Sequence, residues 1–234
     1  MPTDSAAFIA EERLTEISTF LSANHKDSNR FRTLVDDWFA HDQGGDLWLN
    51  PGSKKRIRTR WFNRRDNVID FRKRRRNEWH VAKSLFAMHF QSAGFIALVS
   101  RKLSGEPFDR ERDWVVKDHS VPLEVLRQYL REELSKQPER FAASSDELRR
   151  LLRLHYRIAA IAKTEDRLLE DRFRQTMPVG ITWHDAPHDH YARYRDRIER
   201  APESEMARVR AKLEERLREL VFQPKNRKAS AVSV

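Results

Sequence analysis

The segment 54–76, KKRIRTRWFNRRDNVIDFRKRRR, holds twelve Lys/Arg against two Asp, a local net charge of +10. The whole chain carries 46 Lys+Arg and 36 Asp+Glu, also +10, so the residues outside this segment sum to zero. Dense like charge repels itself and works against a compact state. The core must therefore come from the neutral flanks, and the segment itself calls for a polyanion. Nucleic acid is the leading partner on this ground.

The flanks are well supplied for folding. At 234 residues the chain fits one large or two small domains and can bury a core. Thirteen Phe and six Trp set it apart from a disordered chain, although 35% of its residues are charged. Six glycines are few for a β protein, whose turns consume them, so the composition favours helices. There is no cysteine, which excludes disulfides, thiol catalysis and Cys-based zinc sites. The start, MPTDSAAFIAEERL, lacks the basic-then-apolar layout of a signal peptide, and a cytoplasmic location is expected. The apolar run 84–99, SLFAMHFQSAGFIALV, would span about 24 Å as a helix, short of a hydrocarbon core of about 30 Å. It reads as a buried helix, with no membrane partner.

Apolar spacing of three and four predicts helices over 5–22 and 28–41. Gly44-Gly45 and Asn50-Pro51-Gly52 bracket a loop before the basic segment. Within that segment Ile57, Thr59 and Trp61 alternate with Arg56, Arg58 and Arg60, which suits a hairpin strand; a helix would instead align Arg56, Arg60 and Arg64. β-branched and aromatic content favours the hairpin. A long helix is expected from Asn77 to about Leu103, residues 108–119 are left open, and a helix starts near Ser120–Pro122 and ends before Pro138. One continuous helix is expected from Ser144 or Ser145 to about Thr176, with His155 on its apolar side. Asp185-Ala186-Pro187 reads as a helix start, and the last helix spans about Glu203–Phe222.

The expected architecture is thus mainly α: a multi-helix globular protein with a basic β-hairpin or basic helix near 54–76. A division into a helical domain over 1–140, a helical hairpin or bundle over 141–222 and a disordered tail over 223–234 is one organisation; a single continuous domain is the other.

Two places could carry function. In the basic segment Arg outnumbers Lys nine to three, and its planar fork suits phosphates and base edges. Lys54, Lys55, Arg56, Arg58, Arg60, Arg64, Arg65, Arg72, Lys73, Arg74, Arg75 and Arg76 are the expected contacts, with Trp61 as a stacking platform. The bland reading keeps the arginines solvated and uses the aromatics as anchors. The second place is WHDAPHDHY, where His184, Asp185, His188 and His190 offer good ligands for a transition metal. That pattern matches no established metal motif, and Pro187 breaks the helical spacing between His184 and His188. Asp185 as a helix cap beside exposed histidines is the plainer reading. His155 reads as a core histidine with one hydrogen-bond partner, and His89 as a buried one.

No glycine-rich phosphate loop or nucleophile elbow is present. No catalytic residue, cofactor or small-molecule substrate is indicated. The function expected is non-catalytic binding of DNA or RNA, as a subunit of a nucleoprotein complex with protein partners. An adaptor docking an acidic protein and a metal-dependent enzyme using the 184–190 cluster are the rival classes.

Overall fold

The computed structural model describes residues 4–43, 86–106, 115–169 and 175–222. The basic segment 54–76, and with it the choice between hairpin and helix, lies outside them, as does the tail from 223.

Among the described residues the chain is mostly helical, with one small sheet. Helix α1 (Asp4–Ser22) and helix α2 (Ser28–Asp42) pack against each other as the spacing predicts. Leu14, Ile17, Phe20 and Leu21 of α1 are buried against Phe31, Leu34, Val35 and Trp38 of α2. The turn between them closes through Asn24 in the left-handed region (φ 54°), which an Asn tolerates better than most residues. Asp27 then caps α2, its carboxylate accepting the backbone N–H of Asn29 and Arg30, each at 3.0 Å.

The long helix expected over 77–103 is not continuous where it is described. Residues 90–91 form a short strand, β1 (Phe90–Gln91), and a helix begins only afterwards as α3 (Ala93–Leu103). Ser92 is the break. Its extended backbone sets the Oγ to accept the N–H of Phe95 at 3.0 Å, so it caps α3 and does not carry a helix through. Residues 108–119, left open from sequence, contain strand β2 (Val115–His119). Helix α4 (Leu123–Lys136) follows, burying Leu123, Leu126 and Leu130, and then the short α5 (Pro138–Ala143).

The second correction concerns residues 144–176. Helix α6 (Asp146–His155) stops at His155, and Ile158–Ala162 form strand β3 before the single turn of α7 (Lys163–Asp166). The sheet order is β1-β3-β2, with β1 parallel and β2 antiparallel to the central β3. A central strand covered on both faces reads as an unbroken apolar run, and IAAIA is such a run. Its faces separate two hydrophobic clusters. Ile158 and Ala160 join the main core with α1, α2 and α6, whereas Ala159 and Ile161 pack with Phe90, Leu169, Tyr194 and Ile198. That is the period-two alternation of a strand.

No helix forms at Asp185-Ala186-Pro187, contrary to expectation; the chain there runs through turns to a 3-10 turn at Ala192–Tyr194. Residues 199–201 close back on β1, Ala93 N donating to Glu199 O and Ala201 N to Gln91 O, both at 2.9 Å. Helix α8 (Glu203–Phe222) then buries Met206, Val209 and Leu213 at spacings of three and four.

One carboxylate ties several of these elements. Glu165 accepts the backbone N–H of Gly94 and of Ala162, both at 2.8 Å, and the hydroxyl of Ser92. A negative charge there complements the N-terminus of α3. A Cβ on Gly94 would lie 2.5–2.8 Å from the Glu165 carboxyl group, which explains glycine at this position.

No helix among the described residues is long and apolar enough to cross a membrane.

Candidate functional site

Helix α6 ends at His155, and His155 and the next residue, Tyr156, serve two different buried polar groups. Tyr156 turns to one side and His155 to the other.

The first group surrounds Asp36 of α2, which is 1% exposed. Lys117 of β2 donates to its Oδ2, Tyr156 Oη donates to Oδ1, and His119 Nε2 lies 3.2 Å from Oδ1. Burial alone would raise the Asp36 pKa, but the charge of Lys117 and the bond from His119 outweigh it and hold the carboxyl well below its usual range. Burial and the neighbouring Lys117 charge push His119 the other way, down towards the neutral form, against the pull of Asp36. The charge is matched and the lone pairs are filled, so this group holds α2 to the sheet. Nearby, Arg193 Nη1 donates to His119 O at 2.9 Å, and Tyr194 Oη donates to Asp118 at 2.7 Å.

The second group surrounds His155. His155 Nδ1 and His190 Nε2 lie 3.1 Å apart, close enough for one ring to donate its N–H to the other. The ring of His188 completes a near-equilateral triangle: centroids are 5.3 Å apart for His155–His188, 5.4 Å for His155–His190 and 5.4 Å for His188–His190. One nitrogen from each residue falls within 4.8 Å of the others, and among the described residues this is the group that could hold a metal ion. Trp183 and Tyr129 stand edge-on to His155, with centroids at 5.3 and 5.0 Å, and fix its ring.

His155 and His190 are buried, and His188 is exposed. Burial is the main reason that His155 is driven down to about 3, with the three neighbouring histidines adding to it. Burial also lowers His190 to about 4, helped by Arg157 and His188. His89, partly buried beside the start of β3, is lowered to about 4 by burial, with Arg157 and His190 adding to it; its Nδ1 accepts the N–H of Ile158 at 3.3 Å. Both buried imidazoles of the triangle are therefore neutral near pH 7, with lone pairs to offer.

Of the metal candidates read from sequence, the structure brings His188 and His190 together and leaves His184 and Asp185 outside. His184 stacks on Tyr129 with centroids 4.9 Å apart, and its Nε2 is 3.8 Å from the exposed Asp185. Residues 188 and 190 are brought together by the loop that leads into the 3-10 turn at Ala192–Tyr194, their ring centroids 5.4 Å apart. His155 was the missed member. It lies 35 residues from His190, and its position on the apolar side of α6 was the available signal. The expected nucleic-acid contacts from Lys54 to Arg76 all fall outside the described residues.

Compared with protein-family models, with curated proteins and with solved structures, the chain matches none.

Proposed function

We propose that this chain is a non-catalytic nucleic-acid-binding protein that grips phosphates through its Arg-rich segment 54–76, as a cytoplasmic subunit of a nucleoprotein complex. The observation that carries this reading is the charge balance: +10 within 54–76 and zero elsewhere. The described helices support it from the other side, because their own arginines are largely engaged with acids. Arg13 pairs with Asp37, Arg149 with Asp146, Arg150 with Glu147, Arg153 with Asp42 and Arg210 with Glu214. Ion pairs of this kind are local surface chemistry and leave little field to attract a polyanion. Binding by the segment is led by counterion release, with base selectivity added by the few side chains that reach base edges or stack on them.

Fluorescence anisotropy against matched single- and double-stranded DNA and RNA, across a salt series, tests this. Affinity should fall with a log–log slope of about 0.9 per phosphate neutralised on duplex DNA, or about 0.7 on single strands. Reversing Arg56, Arg58 and Arg60 to Glu should cripple binding, while reversing Arg208, Arg210 and Arg218 in α8 should do little. Equal losses from the two triple variants would refute a local patch. No binding to any of the four nucleic acids at low salt would turn the assignment towards an acidic protein partner.

A further inference from the structure

We propose that His155, His188 and His190 bind one divalent transition-metal ion of the zinc class, leaving a fourth coordination position open on the solvent side. The geometry of the triangle is the first argument. With metal–nitrogen bonds of about 2.0–2.1 Å, three imidazoles on a tetrahedral ion place their ring centroids about 5.2 Å apart and their ligand nitrogens about 3.4 Å apart. The centroids here stand 5.3, 5.4 and 5.4 Å apart, and the one short nitrogen pair is at 3.1 Å. Ring centroids at this spacing are also ordinary packing, as for Tyr129, His155 and Trp183; what marks this group is that one nitrogen of each imidazole falls within 4.8 Å of the others.

The surroundings supply the second argument. His155 is held from behind by Trp183 and Tyr129 and His190 is buried, so two ligands are rigid before any ion arrives. His188 is exposed and provides the way in. The donor set selects the ion. Imidazole suits zinc, cobalt, nickel, copper and iron, whereas magnesium and calcium seek the oxygen ligands that this group lacks. Three protein ligands with one position left over match open zinc sites, in which a water completes the shell; structural zinc sites are closed by four. The site is independent of the basic segment, and neither reading needs the other.

The full chain, stripped with a chelator, is titrated with Co²⁺ by visible absorption and with Zn²⁺ by calorimetry. One ion per chain is expected, with the intense visible bands of a tetrahedral cobalt site and a rise in Tm on adding Zn²⁺. His188→Ala removes an exposed side chain and should leave the fold intact while weakening Zn²⁺ by about a hundredfold or more, at or beyond the upper end of what losing a ligand-supporting partner costs. His184→Ala should bind as the parent does. Absence of one-to-one binding, unchanged affinity in His188→Ala, or an equal loss in His184→Ala would each overturn the assignment. Should His188→Ala lose its helical circular dichroism, His188→Gln is measured in its place under the same criteria.

Discussion

Asp36 and His155 are each 1% exposed, and each is the centre of a buried polar group assembled from three or more segments of the chain. They differ in how the group is closed. Around Asp36 a full charge meets Lys117, Tyr156 and His119, and the carboxylate is satisfied by protein alone. Around His155 the nitrogens that converge belong to three imidazole rings, one of them open to solvent. A buried group that is complete by itself holds a fold together. One whose lone pairs converge on a common point has capacity left for a ligand. The last turn of α6 feeds both, through His155 and Tyr156.

The largest effect expected from breaking this contrast is on the Asp36 side. Asp36→Ala would take the carboxylate away from the buried Lys117 ammonium and should cost about 3–5 kcal/mol, seen as a lower urea midpoint. Tyr156→Phe deletes one bond to the same carboxylate and should cost about 1.5–3 kcal/mol by the same measurement.

Mild acidification separates the two groups by pH window. His155 and His190 sit near 3 and 4 when folded, against about 6.5 when unfolded. The unfolded chain takes up protons that the folded chain refuses, so stability should decline as pH falls from about 6.5 towards 4. Asp36, depressed in the fold, contributes fully above the ordinary carboxylate value and loses its contribution only as pH drops below about 4. Urea midpoints measured at steps from pH 7 to pH 3 should therefore fall from about pH 6.5 through the histidines, with Asp36 adding to the fall only below about 4, and His155→Gln should make the upper part of the fall shallower. At the bottom of the scale, His188→Ala should shift metal-free stability by no more than about 0.5 kcal/mol. A large loss there would make the histidine triangle another brace, and the contrast would collapse.

Much of the helical frame was legible in the residues. α1, α2, α4 and α8 carry apolar side chains at spacings of three and four, and the glycine shortage points the same way. The sheet was not legible. IAAIA has no polar residue to show a period, so a central strand and a buried helix look alike in it, and the helix was expected to run on past His155. Phe90–Gln91 failed for a related reason: two residues of strand leave no periodicity, and only pairing with Ala159 and Ala160 makes them one. The site divides in the same manner. The crowding of His184, His188 and His190 is a local fact that anyone can read, but which of them converge depends on the path of the loop at 188–190 and on a partner 35 residues before His190.

By itself, then, the sequence determined that the net positive charge is confined to 54–76, that cysteine chemistry is absent and that helices dominate the described residues. These are properties of composition and short-range spacing, which need no folding to exist. The tertiary structure decided where helices stop for β1 and β3, that Asp36 is buried beside Lys117, and that His155 meets His188 and His190. Those outcomes rest on contacts between residues far apart in the chain. Burial then sets which groups stay charged and which stay neutral, and that decision exists only once the core has closed around them.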